Sequence, residues 1–255
     1  MKESVFSRGK GVAFKIPETV LVAGATGGIG KALTEVVSKQ YPDATLIRLA
    51  RDPTHLVELK NPTIDLQFDL LKESSISQAI DQITTGSVDL AFIATGFLHD
   101  QHYKPEKTYK SLTADHLLHA YQLNAIGPAL ICKHLVPRMN NQHISRIGIL
   151  SARVGSISDN RLGGWHAYRS SKAALNMLIK NYAIELGYKR RQLIIVGLQP
   201  GTTDTQLSAP FQANVPDGQL QTTQYTAGQL LKVMAYLKME DSGRLFDFLG
   251  LPFEP

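Results

Sequence analysis

The sequence predicts an α/β fold: one domain over 1–255 built on a doubly wound, mostly parallel sheet of about seven strands with helices on both faces. Three observations predict it. Short apolar, β-branched runs alternate with longer stretches of helical periodicity from residue 19 to the end, the pattern of repeated strand–helix crossovers. The first of these runs passes at once into a glycine-rich loop and then a helical pattern. The 255 residues are 43% hydrophobic and 19% charged, which suits a single large core and excludes an intrinsically disordered chain.

Residues 1–17 precede the first strand as an N-terminal extension. The run Thr19-Val20-Leu21-Val22-Ala23 reads as a buried strand, and 31–39 as the helix that follows its glycine loop. Further strands are expected over 44–49 and 64–68, the latter just after Pro62. A helix over 74–83 ends before Gly86, and 88–94 is the fourth strand. Helices over 113–123 and 125–139 lead to a strand over 145–151, then a helix over 165–187. Strands over 192–198 and 244–249 complete the sheet. In such sheets ligands bind beyond the carboxyl ends of the strands, at the topological switch point. Residues 202–224 are rich in Thr, Gln, Pro, Asp and Gly and weak in periodicity, so they read as a mobile lid over a substrate.

Composition narrows the function classes. No apolar stretch approaches the ~18 residues of a membrane span, and Met1 to Lys10 lacks the apolar centre of a signal peptide. The single cysteine, Cys132, excludes an internal disulfide, fits a cytoplasmic setting, and lies among apolar neighbours as a structural residue. The net charge of +5 favours an anionic cofactor, while the one dense basic cluster, Lys189-Arg190-Arg191, reads as a solvated turn. Nothing resembles a nucleic-acid module. His99, His102, His116 and His119 have no acidic or thiol companions at metal-binding spacing, so no metal is expected and His116 and His119 read as surface residues of a helix.

Three local patterns carry chemistry. Gly24-Ala25-Thr26-Gly27-Gly28-Ile29-Gly30, between strand and helix, offers backbone N–H groups and a helix N-terminus to a pyrophosphate. Tyr168 and Lys172 are four residues apart on a helix, hence about 6 Å apart on one face. A lysine there is expected to lower the tyrosine pKa from near 10, and reaching about 7 takes ~4 kcal/mol. Ser151 follows a strand 17 residues upstream of Tyr168. Finally, Pro128 stands four residues after Asn124, so it cannot donate to the Asn124 carbonyl and should kink the helix there.

Taken together, Gly24-x-x-x-Gly28-Ile29-Gly30, Asn124, Ser151, Tyr168-x-x-x-Lys172 and Pro200-Gly201 resemble, in kind and order, the motifs of the short-chain dehydrogenases/reductases. Asn124-Ala125-Ile126-Gly127-Pro128 and the tail Ser242 to Phe248 resemble the branch of C-factor-like proteins and sniffer-type carbonyl reductases. The resemblance implies a Rossmann-type fold and an NADP-dependent oxidoreductase that interconverts a carbonyl and an alcohol by hydride transfer. It implies Tyr168 as general acid/base and Lys172 as its electrostatic partner and ribose ligand. Ser151 would bond the carbonyl oxygen, and a water on the Asn124 carbonyl would extend the proton path.

Cofactor contacts are implied at Gly24, Gly28, Ile29 and Gly30, at the adenine-contacting Asp69-Leu70, at Ala94 and Gly96, and at Thr203 and Thr205 beside the carboxamide. Asp69 also reads as a helix cap. Thr95 stands where relatives usually carry Ala, in Asn-Ala-Gly. Ala50 occupies the place of the acid that selects NAD, and Arg51 follows it, able to pair with a 2′-phosphate, so NADP is expected rather than NAD. Asp52 reads as an N-cap ahead of Pro53. Arg161, Trp165 and His166 are candidates for the substrate pocket, with His166 also reading as a helix-start residue without chemistry, and Arg153 for an anionic substrate or for solvent. A homodimer or homotetramer is implied, paired through the helices near 125–140 and 165–187. The remaining alternative is a regulatory or signalling protein of the same fold with little turnover.

Overall fold

Hydrophobic runs that are buried on both faces can only be satisfied in the middle of a sheet covered by helices. The strands Thr19–Ala23 (β1), Leu90–Ile93 (β4), Ser145–Leu150 (β5) and Leu193–Gln199 (β6) are of this kind and form the sheet centre. In the computed structural model, which describes residues 3–8, 14–189 and 192–255, the order is β3-β2-β1-β4-β5-β6-β7-β8, with Thr45–Ala50 as β2, Thr63–Gln67 as β3, Leu245–Asp247 as β7 and Pro252–Phe253 as β8. All pairings are parallel except β7 with β8. The sheet therefore has eight strands, one more than the seven expected. The extra one is two residues long and begins with a proline, below the reach of any alternation pattern.

The helices Gly28–Gln40 (α1), Glu73–Ile80 (α2), Ala114–Tyr121 (α3), Gly127–Leu135 (α4), His166–Tyr188 (α5) and Thr223–Tyr236 (α6) cover both faces. One core layer joins the sheet to α2, α4 and α5 through Ile76, Ile131, Leu135, Leu175 and Ile179. The other joins it to α1 and α6 through Leu33, Val37, Leu230 and Met234. Cys132 is fully buried in the first layer, and burial pushes its thiol up to about 12, which fits an inert structural residue.

The strand order reverses between β1 and β4, which creates the crevice where ligands are expected. The N-terminal extension is docked within its described part: Val5 is buried and its N–H donates to Gly250 O at 2.9 Å. Arg190 and Arg191, two residues of the expected basic turn, lie outside the described residues, as do Met1, Lys2 and 9–13. Lys189 pairs with Glu185 at 2.6 Å. Among the described residues no helix is long and apolar enough to cross a membrane.

Candidate active site

At the carboxyl end of β1 the chain turns in a space that excludes side chains. Gly24 has φ +83°, a left-handed conformation that favours glycine. A Cβ on Gly30 would lie 2.1 Å from Gly24 O, so the helix can begin this close to the strand only with glycine there. Gly27 is the N-cap of α1, leaving the first N–H groups of the helix without a side-chain cap. Helix α1 thus starts at Gly28, inside the loop, rather than at residue 31.

Across the reversal point Ala94 N donates to Ala23 O at 2.8 Å, and Ala94-Thr95-Gly96 runs alongside the glycine loop. A Cβ at Gly96 would meet nothing nearer than Lys172 Nζ at 3.7 Å and Asn124 Oδ1 at 3.8 Å. Thr95 Oγ1 is buried without a hydrogen-bond partner. A cradle bare of side chains, uncapped helix N–H groups and an orphaned hydroxyl fit a pyrophosphate-bearing dinucleotide.

Beyond the carboxyl end of β2, Asp52 caps a short 3-10 turn over Pro53–His55, accepting from Thr54 N at 3.0 Å and Thr54 Oγ1 at 2.6 Å. The expected N-cap is therefore present, and the acid is committed to it. Arg51, next to buried Ala50, is exposed. Asp69 accepts from Leu71 N at 3.0 Å and pairs with Lys72 at 3.5 Å, so it closes the turn before α2 rather than capping the helix, whose N-cap is Lys72. Leu70 is committed to packing: a Cβ on Gly127 would lie 2.4 Å from its Cγ.

Helix α5 carries Tyr168 and Lys172, and β5 ends just before Ser151. Lys172 Nζ lies 5.9 Å from the Tyr168 ring centroid and donates to Leu150 O at 2.9 Å. The expectation that the Tyr168 pKa lies below its ordinary value is corrected here. Burial pushes Tyr168 up to about 12 and Lys172 down to about 8. Desolvation of each group is the cause, and the Lys172 ammonium is tied to a backbone carbonyl. Ser151 Oγ donates to buried Asn176 Oδ1 at 2.6 Å.

Asn124 is fully buried in a π-helical turn, Gln122–Ile126, that joins α3 to α4. The break in the helix is where Pro128 predicts it, and it takes the form of an inserted residue. The amide side chain also does what the backbone argument did not foresee. Its Oδ1 accepts from Phe97 N at 2.8 Å, and its Nδ2 donates to Phe97 O at 2.8 Å and Ser171 Oγ at 3.0 Å. Asn124 thereby staples the segment after β4 to the middle of α5. Asn176 and Ser171 were missed by sequence reasoning. Their spacing from Tyr168 on one helix was the available signal, at Tyr168 plus three and plus eight.

The substrate side is built by loops. Pro200-Gly201 turns with φ +75° at Gly201, and buried Thr203 shares a 2.9 Å hydrogen bond with Thr226. Thr205 reaches back over the glycine loop, where a Cβ on Gly28 would meet its methyl at 2.6 Å. The segment 202–224 is folded rather than irregular. It holds a 3-10 helix, Ala209–Asn214, and a bridge of Thr203 to Gln221. Polar turn bonds, such as Ser208 Oγ to Thr205 O at 3.1 Å, supply the order that apolar periodicity does not.

His99 meets Leu207 O at 3.1 Å and stacks edge-on to Phe211 at 5.5 Å. Trp165 lies 4.9 Å from Phe211 and 6.2 Å from Tyr168 between ring centroids. An aromatic wall of His99, Phe211 and Trp165 therefore stands beside Tyr168. His166 is the first residue of α5. Arg161 is spent on Ser158 O and Asn160 O. Arg153 pairs with Asp159 at 3.2 Å and Asp247 at 3.5 Å and lies over the Phe253 ring, so it is anchored rather than free in solvent. It lines a cleft of about 590 Å³ with Gly201, Gln221, Tyr225 and Phe248, a space that does not include Tyr168.

The reading of His116 as a surface residue is corrected. It is 5% exposed and pairs with Glu106, itself 3% exposed, at 3.0 Å. Helix α3 turns this histidine inward beneath Tyr103, whose ring stacks on it at 4.8 Å. Among the described residues no cluster of His, Cys, Asp or Glu is placed to hold a metal.

A sequence model of the short chain dehydrogenase family matches residues 18–216, and the chain belongs to that family of oxidoreductases. An uncharacterised oxidoreductase of Saccharomyces cerevisiae is 26% identical over 250 residues, covering 91% of this chain and 95% of its own. The C-signal protein of Myxococcus xanthus is 32% identical over 130 residues, 51% of this chain and 73% of its own. Among solved structures, an NADPH-bound carbonyl reductase from chicken fatty liver superposes with a TM-score of 0.79 at 23% identity, over 93% of this chain and 99% of that one. Sniffer-type carbonyl reductases are also among the structural neighbours, as the resemblance implied.

Proposed function

We propose that this protein is an NADP-dependent carbonyl reductase/alcohol dehydrogenase with Tyr168 as its general acid/base. The observation that carries the reading is convergence. Lys172 Nζ lies 5.9 Å from the Tyr168 ring centroid and donates to Leu150 O, the residue before Ser151, and Lys172 Nζ and Asn124 Oδ1 both come within 4 Å of where a Cβ on Gly96 would stand, at 3.7 and 3.8 Å. The nicotinamide, when bound, supplies or accepts the hydride.

Every other step belongs to the chain's own residues. In reduction the Tyr168 hydroxyl gives its proton to the carbonyl oxygen, and in oxidation it takes the alcohol proton. With a pKa of about 8, Lys172 is largely an ammonium at neutral pH, and it stabilises the phenolate as this forms. Its two remaining N–H donors are available to the nicotinamide ribose and to a water of the proton path. Ser151 rotates its hydroxyl from Asn176 to the carbonyl oxygen and stabilises negative charge there. The Asn124 main chain holds the relay water, while its side chain fixes the Gly96–Phe97 edge against α5.

The loop of Gly24, Gly28, Ile29 and Gly30 takes the pyrophosphate. Asp69 and Leu70 bound the adenine, with Asp69 contributing its backbone turn. Ala94, Gly96, Thr203 and Thr205 flank the nicotinamide. NADP rather than NAD is supported by exposed Arg51 beside Ala50 and by Asp52 being occupied with Thr54. Exposed Met177, Ile184 and Tyr188 on α5 support pairing into a homodimer or homotetramer. A cytoplasmic setting accords with the lone buried thiol.

The test is a screen of aldehydes, ketones and diketones with NADPH and with NADH. NADPH-dependent reduction of at least one carbonyl class, faster than with NADH, is the expected result. Similarity to the C-signal protein favours a second reading, a signalling protein with little turnover. Tight NADPH binding without reduction of any carbonyl would select it and overturn the first.

A further inference from the structure

Glu106 is nearly fully buried, carries a charge-bearing side chain, and has no part in the chemistry above. Two of its contacts converge on the few residues ahead of Tyr168, and a third faces helix α3. Its main-chain carbonyl accepts from Trp165 N at 2.6 Å. Its Oε2 accepts from Ala167 N, in the first turn of α5, at 3.3 Å. Its Oε1 lies 3.0 Å from His116 Nδ1, at ion-pair distance but without hydrogen-bond geometry, and the Tyr103 ring stacks on His116.

The turn so gripped is strained. Gly163 and Gly164 have φ +61° and +64°, and Trp165 has φ 49°, the sole positive φ at a non-glycine among the described residues. Such a conformation persists only where its surroundings over-determine it, and strain of this kind gathers at functional sites. What the turn fixes is the Trp165 ring, between Phe211 of the lid segment and Tyr168, and the N-terminal end of the helix that presents Tyr168.

We propose that Glu106, through Trp165 N and Ala167 N, is a positioning residue that holds the left-handed turn at Trp165 and thereby sets the Tyr168 hydroxyl and the aromatic wall for turnover. The proposal rests on the reading of Tyr168 as the acid/base. A displacement of about an ångström at a reacting group is enough to cost up to 10²-fold in rate.

Trp165 is the one tryptophan of the chain, so its emission reports on the turn without reference to activity. Glu106→Ala is expected to red-shift that emission, raise its quenching by acrylamide, and lower kcat roughly 10- to 100-fold with the Kd for NADPH unchanged. Glu106→Gln should return both signals to near the parent, because an amide oxygen can still accept from Ala167 N in a side chain of the same length and shape. Glu106→Asp, a change small enough to survive if the alanine variant does not fold, is too short to reach Ala167 and His116 together and should show the same changes in weaker form.

Parent-like emission and kcat in folded Glu106→Ala or in Glu106→Asp would overturn the proposal. So would a glutamine variant as inactive as the alanine one with parent-like emission, since that marks proton transfer. If the parent reduces no carbonyl, the reading of Tyr168 fails on that ground, while the emission series still tests the grip on the turn.

Discussion

The cofactor end and the substrate end of this cleft are made by opposite means. At the proposed cofactor end the site is shaped by missing side chains: Gly24 and Gly30 let backbone approach backbone, and contacts such as Gly30 to Gly24 O are local in sequence. At the substrate end it is shaped by buried polar side chains that join distant segments: Asn124 to Phe97 and Ser171, Ser151 to Asn176, Glu106 to His116 and Ala167. Omission leaves a rigid cradle that accepts one kind of ligand. Stitching leaves a wall whose geometry depends on every bond being made, and whose lining can vary without disturbing the cradle.

The contrast can be broken most severely at the cradle. Gly30→Val places a branched side chain where a single Cβ would already stand 2.1 Å from a backbone oxygen. Backbone cannot give way as a flexible side chain can, so the variant should lose more than ~3 kcal/mol of stability and all measurable nucleotide binding, read by thermal melting and by calorimetry with NADPH.

A smaller effect, of opposite sign on stability, is expected where the two ends meet. Burial lowers Lys172 from 10.5 to about 8, so the unfolded chain binds the extra proton between those values. The parent should therefore gain stability as pH rises from about 8 to 10.5, and below 8 it carries the full penalty. Lys172→Met should raise stability at pH 7 by ~1–3 kcal/mol and flatten that rise, while abolishing turnover and weakening cofactor binding. Denaturant melts of parent and variant at pH 7 and 10 check the sign.

At the cofactor's far edge the change should be gentler. Arg51→Ala should narrow the gap between NADPH and NADH affinity by about 1–3 kcal/mol, the worth of a charged hydrogen bond, and leave NADH binding alone. Equal affinities in the parent, measured by calorimetric titration, would contradict the cofactor assignment.

The same contrast governs how much could be seen in the sequence. Strand–helix alternation, the glycine loop and the Tyr168–Lys172 spacing are short-range signals, and each falls in the structure at the sheet edge where it was expected. The Asp52 cap and the helix break ahead of Pro128 were equally local. Strand β8 escaped because two residues hold no pattern. The order within 202–224 escaped because it comes from polar turn bonds and one bridge rather than from an apolar stripe. His116 was misplaced because its partner, Glu106, is supplied by a different loop. The Tyr168 pKa was misjudged for a related reason: spacing reports that an ammonium is near but not how far both groups are desolvated.

The central claim is that Tyr168 transfers the proton, and single-turnover reduction tests it most directly. With cofactor prebound at saturation and a carbonyl substrate that the parent reduces, Tyr168→Phe should bind NADPH with parent affinity yet transfer hydride roughly 10²–10⁴-fold more slowly, the range for a positioned acid/base group. A Tyr168→Phe variant that reduces the same substrate at the parent's rate would contradict the account.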